Sequence, residues 1–268
     1  MAVLIQRDRV VSAWLAAASH LATCPEYTAR NLVLEIASSG ALEAQDRDVI
    51  GAVDAAIRRR WPGLSVQTVA GTIFPNEIYR REGRPGFYET YLNAMARGMK
   101  RGTWGTYAYR MMRRVSRNGK TTFNPLELIV RKLQDSKVGR RFQAVYELGV
   151  IDAEYDLDDD GFGFELPLYD PAIDRKKPMN MPCLSHLSFK VTGDKLDLTA
   201  VYRSHWYGQR ALGNLIGLSN LHKFVSDESE FERGVLTCIA THAYLDVESL
   251  GGAKAAKQLL AAFPDLEQ

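Results

Sequence analysis

Little in this sequence is extreme, and what it lacks narrows what it can do. It has three cysteines in 268 residues, Cys24, Cys183 and Cys238. Their spacing forms neither a disulfide framework nor a metal knuckle. A disulfide-stapled secreted scaffold is excluded, and a reducing cytoplasm is the expected location. Among the five histidines, His186, His205 and His222 show no ligand spacing, so no metal is expected. The formal net charge of +2 is too small for a nucleic-acid surface. No apolar run approaches the roughly 20 residues of a membrane span. The first residues, Met1 to Asp8, carry charge where a secretory leader needs an apolar core. Repeats and low-complexity tracts are absent. The acidic run Asp156 to Asp160 lacks the pattern of a calcium loop, and Gly161-Phe162-Gly163 is too short for a phosphate loop.

What is present is ordinary globular material, 46% apolar and 25% charged residues, enough for a full core. Ala- and Leu-rich Val10 to Ala22 predicts a helix. Asn31 to Ile36 alternates and predicts a strand. Glu43 to Arg60 carries a helical stripe of Val49, Ile50, Val53, Ala56 and Ile57, stopped by Trp61-Pro62-Gly63. β-Branched Val66 to Phe74 predicts another strand. Phe87 to Met99 and Leu126 to Leu133 predict helices, and Phe142 to Glu147 a strand. Asp152 to Lys177 reads as a long surface loop. His186 to Val191 and Lys195 to Tyr202 flank Thr192-Gly193-Asp194, a hairpin signal. A buried helix around Leu212 to His222, a strand from Val235 to Tyr244 and a helix from Ala253 to Phe263 complete the chain. No linker interrupts it. Residues 1–268 are read as one α+β domain, a large mixed sheet packed against helices.

The chemistry gathers late in the chain. Pro182-Cys183 is followed by Tyr202-Arg203-Ser204, then Asn214, then Thr241-His242-Ala243-Tyr244. A thiol can add to an electron-poor ring carbon. An arginine beside a hydroxyl suits a phosphate. An amide offers a donor and an acceptor to one edge of a base. Each has a plainer reading. Cys183 can be an inert buried thiol, Arg203 a strand-end arginine, Asn214 a helix N-cap, and His242 and Tyr244 satisfied strand residues. The ordered series, not any single residue, favours a nucleotide site.

That order and spacing resemble the thymidylate synthase and pyrimidine-nucleotide hydroxymethylase family over about Leu126 to Tyr244. The resemblance implies the family fold, with Cys183 as nucleophile, Arg203 and Ser204 on the phosphate, Asn214 on the base, and His242 and Tyr244 on the sugar. Arg140 and Arg141 take the place of paired arginines that reach a partner subunit's site, which implies a homodimer. Tyr107, in Gly105-Thr106-Tyr107-Ala108-Tyr109-Arg110, resembles an active-site tyrosine that helps move a proton. Glu77 is the candidate for the catalytic glutamate. The implied substrate is a pyrimidine nucleoside monophosphate, with no membrane or nucleic-acid partner. The implied donor is 5,10-methylenetetrahydrofolate, giving a methyl or hydroxymethyl product. Relatives acting on cytosine carry aspartate where Asn214 stands, so uracil is the expected base.

The departures lie on the folate side. The histidine after the nucleophile is Leu184, the pterin-holding aspartate is Trp206, and the Leu-Gly-Leu-Pro-Phe turn before the asparagine is Gln209-Arg210-Ala211-Leu212-Gly213. Family members also continue beyond the point that Gln268 occupies here. Two other expectations follow: an enzyme that keeps the thiol addition without folate, and a non-catalytic nucleotide-binding protein on the same scaffold.

Overall fold

The computed structural model describes residues 2–99, 105–115, 120–138, 165–167 and 182–264. Its strands, in chain order, are β1 (Val3–Arg7), β2 (Thr28–Ile36), β3 (Arg114–Val115), β4 (Thr122–Phe123), β5 (Glu165–Pro167), β6 (Leu184–Thr192), β7 (Lys195–Tyr202), β8 (His205–Trp206) and β9 (Glu232–Tyr244). Seven of them form one mixed sheet in the order β1-β2-β9-β7-β6-β5, with β8 also beside β9; β3 and β4 pair separately. β9 runs parallel to β7 and antiparallel to β2. The helices are α1 (Val10–Thr23), α2 (Ala44–Arg60), α3 (Val66–Ile73), α4 (Asn76–Glu82), α5 (Gly86–Gly98), α6 (Tyr107–Met112), α7 (Pro125–Val138), α8 (Ala211–Glu228) and α9 (Ala253–Ala261). The α+β expectation of a large mixed sheet against helices therefore holds.

Period-two alternation makes the sheet one-sided. In β2, buried Leu32, Leu34 and Ile36 alternate with half-buried Val33 and Glu35. In β9, Leu236, Cys238 and Ala240 do the same. α1 and α8 pack on the buried face. The hairpin between β6 and β7 pairs Thr192 with Lys195, and Gly193 takes a φ of 64° in the turn. That conformation is what tight hairpin turns ask of glycine.

One expectation fails: Val66 to Phe74 is helical, not a strand. Local capping overrides β-branched composition. The Ser65 hydroxyl accepts the Thr68 N–H at 3.0 Å while the Thr68 hydroxyl accepts the Ser65 N–H at 2.8 Å. The Asp54 carboxylate accepts the Val66 N–H at 2.6 Å, satisfying a further end group. The buried residues Val66, Val69, Ala70 and Ile73 then recur at helical spacing against α8. Contact there is close. A Cβ on Gly213 would lie 2.6 Å from the Val69 Cβ, and one on Gly217 would lie 2.7 Å from the Ala70 carbonyl. Glycines four apart give α8 a bare track for α3. β1, α4 and α6 also arise in segments the sequence left unassigned. β5 falls inside the predicted loop. The predicted strand Phe142 to Glu147, Arg140, Arg141 and the acidic run Asp156 to Asp160 lie outside the described residues.

Candidate active site

Pairing of β6 with β7 brings two halves of the motif together. Leu184 faces Tyr202 across the ladder, so Cys183 and Arg203 meet just beyond it. The Arg203 main-chain N–H donates to the Cys183 carbonyl at 2.9 Å, and Arg203 Nη2 donates to the Pro182 carbonyl at 2.6 Å. A β-bulge falls at Ser185, whose hydroxyl donates to the Val201 carbonyl at 3.0 Å. Bulges of this kind re-aim neighbouring side chains. The third member comes from α6. Thr106 caps that helix by accepting the Tyr109 N–H at 3.1 Å. The cap places the Tyr107 hydroxyl where it accepts the N–H groups of Cys183 at 3.0 Å and Leu184 at 3.3 Å.

The electrostatics follow from burial and two cations. Burial pushes the Cys183 thiol up, while Arg203 and Arg210 pull it back down. Tyr107 is pushed up to about 12, mainly by burial and then by Cys183; the two N–H bonds and Arg210 oppose this. Both groups therefore hold their protons at neutral pH, and the thiol proton must leave as any new carbon–sulfur bond forms. Cys238 is fully buried in β9 and pushed up to about 12, which suits an inert core thiol.

Arg210 was not singled out by the sequence, because the family turn is replaced there. The fold explains its placement. Asp246 Oδ1 accepts the N–H of Gly208 at 2.7 Å and of Gln209 at 3.3 Å. The Trp14 indole N–H donates to the Tyr207 carbonyl at 3.0 Å. These bonds pin the turn that delivers Arg210 to the start of α8, its cation acting on both Cys183 and Tyr107.

Asn214 is buried within the first turn of α8, its own N–H donating to the Arg210 carbonyl at 2.9 Å. Arg210 holds the cap position, so the N-cap reading of Asn214 fails. The amide nitrogen of Asn214 lies 3.1 Å from His205 Nε2. His205 stacks on Tyr202 with centroids 3.9 Å apart and planes 2° apart. Tyr202 in turn feels the charge states of Tyr107 and Cys183. Direct contacts thus link Asn214 through His205 to Tyr202. Ser204 is half-buried in the turn after β7. Tyr244 meets Trp206 edge-on at 5.8 Å, while His242 is exposed opposite Arg30 of β2. Glu77 is exposed in the first turn of α4. Tyr107 and Arg203 supply hydrogen bonds to the Cys183 main chain. Among the described residues, no group of three or more His, Cys, Asp or Glu is placed to hold a metal, and no helix is long and apolar enough to cross a membrane.

The fold and this site define an α+β protein with a cysteine held by a tyrosine and an arginine and under the electrostatic influence of a second arginine. Curated relatives place it further. It is 27% identical over 140 residues to a protein of Methanosarcina mazei named "Putative thymidylate synthase", and equally to one of Methanosarcina acetivorans. A third, from Methanococcoides burtonii, is 26% identical over 140 residues. Each match covers 52% of this chain and 52% of the relative, so the chain spans about half the length of the curated relatives it matches. No family model matches. Over about half its length the chain is therefore similar to, and diverged from, proteins named as putative thymidylate synthases.

Proposed function

We propose that the protein modifies carbon 5 of a uridylate-type pyrimidine nucleotide through thiol addition at ring carbon 6. The observation that carries this reading is the convergence on Cys183 of Arg203, from the end of the next strand, and Tyr107, from a helix distant in sequence, through hydrogen bonds to the Cys183 main chain. Arg203 and Ser204 hold the phosphate. Asn214 donates to the O4 carbonyl and accepts from N3–H. His242 and Tyr244 take the sugar. The Cys183 sulfur bonds to carbon 6 as the thiol proton passes to solvent. The ring electrons move to carbon 5 and O4, giving an enolate-like nucleophile. Carbon 5 attacks a one-carbon electrophile and loses its hydrogen, with Tyr107 beside the thiol to relay that proton and Glu77 to order water. Departure of the sulfur restores the double bond. A homodimer in which Arg140 and Arg141 complete the partner's phosphate site belongs to this reading. The half-exposed sheet face carrying Val33, Val201 and Ile239 supports it.

The resemblance implies methylenetetrahydrofolate as the donor. The residues here do not fit a pterin held in the family manner. Trp206, 46% exposed and edge-on to Tyr244, stands where a carboxylate would accept the ring's N–H groups. That observation favours a second reading, in which the same thiol chemistry serves another electrophile. Incubating uridylate with methylenetetrahydrofolate and analysing the nucleotide by mass spectrometry separates them. Gain of a methyl or hydroxymethyl group establishes folate-type transfer. An unmodified nucleotide, with binding retained, removes it.

A further inference from the structure

We propose that His205 is a positioning residue for base selection, holding the Asn214 amide in the orientation that reads uracil and refuses cytosine. The inference rests on the nucleotide reading above. An asparagine amide is ambivalent. Rotated through half a turn about its last bond, it exchanges donor for acceptor. Uracil presents an acceptor at O4 beside a donor at N3. Cytosine presents a donor at N4 beside an acceptor at N3. A free amide would serve both bases, so discrimination requires something that fixes its orientation.

His205 is built to do that. Asn214 Nδ2 faces His205 Nε2 at 3.1 Å, with both residues buried. The imidazole is clamped between two rings. Tyr202 lies parallel at 3.9 Å, and Tyr207 meets it at 5.2 Å and 62°. Its other nitrogen, Nδ1, is buried with no hydrogen-bond partner among the described residues, so Asn214 is its polar anchor. Burial drives the imidazole down to about 3, so it is neutral at working pH and carries one proton. For His205 to hold the amide with Nδ2 facing it, Nε2 must be the acceptor and the proton must sit on Nδ1. One amide N–H is committed to His205. The remaining N–H and the Oδ1 form the donor–acceptor pair that uracil matches. Reversing the amide sets Oδ1 against the Nε2 lone pair and requires the ring proton to move.

Two measurements test this. The first is calorimetry with uracil and cytosine monophosphates on wild type and on His205→Phe, which keeps the ring stack and removes Nε2. Wild type should prefer uracil by roughly ten- to a hundredfold, the range of one good two-point base contact. The variant should fall to about threefold or less. A wild type that discriminates alongside a variant that discriminates equally overturns the inference and leaves the functional reading standing. A wild type that binds no pyrimidine nucleotide overturns the functional reading, and this inference with it. The second measurement needs no variant to fold. Histidine-selective nitrogen spectra of the wild type should show His205 protonated at Nδ1 and bare at Nε2. A proton at Nε2 overturns the assignment.

Discussion

Replacing Arg203 by alanine should reduce affinity for a nucleoside monophosphate by roughly ten- to a hundredfold and leave nucleoside affinity nearly unchanged. The structure gives the reasoning its scale. Arg203 already uses one guanidinium N–H on the Pro182 carbonyl at 2.6 Å, and its backbone is held by Cys183 on one side and Thr241 on the other. A guanidinium carries five N–H donors in a planar fork that matches a phosphate. A charge-assisted contact of that kind is worth about 1.5–3 kcal/mol, and about 1.4 kcal/mol is tenfold in affinity. Lysine keeps the charge but offers a single ammonium in place of the planar fork, so Arg203→Lys should fall between wild type and alanine. Calorimetry with uridine and uridine monophosphate reads both affinities, and thermal unfolding reports separately on the lost Pro182 bond. Equal loss for nucleoside and nucleotide would refute the phosphate role and leave Arg203 as a clasp for the Pro182-Cys183 turn.

Other consequences are as direct. Because burial raises the Cys183 thiol and Arg210 opposes it, thiol alkylation should quicken with rising pH through and beyond the usual thiol range. Arg210→Gln should move that profile to still higher pH, as a stopped alkylation series would show. Gly217→Ala drives a Cβ to within 2.7 Å of the Ala70 carbonyl and should destabilise by about 1–3 kcal/mol. Gly51→Ala meets open space in α2 and should instead stabilise by up to about 1 kcal/mol in urea unfolding. Titration with methylenetetrahydrofolate at saturating uridylate should show no micromolar binding, since Trp206 cannot accept the pterin N–H groups; a micromolar complex would restore folate transfer as the favoured chemistry.

Legibility in the sequence followed how far each signal reaches. The β6–β7 hairpin was readable because its turn chemistry is local, and β9 because alternation with a buried face leaves its mark residue by residue. α3 was not. Val66, Val69 and Ile73 look like strand residues until Ser65, Thr68 and Asp54 satisfy the helix end and two glycines in α8 admit it. The glycines lie more than a hundred residues downstream. At the site, the order of Cys183, Arg203 and Asn214 could be read directly. Arg210 and His205 could not be assigned, since an arginine in a replaced turn and a histidine without ligand spacing carry no pattern. Only the folded chain shows the Arg210 cation acting on Cys183 and Tyr107 and His205 stacked on Tyr202 beside Asn214.

The central claim is that Cys183 adds to ring carbon 6 of a bound uridylate. Thiol addition loosens the hydrogen on carbon 5 whether or not a one-carbon donor is present, so release of tritium from carbon 5 of labelled uridylate is the most direct measurement. Wild type should release tritium without folate. Cys183→Ala should release none while binding the nucleotide within a few-fold of wild type. Undiminished release from Cys183→Ala would contradict the account.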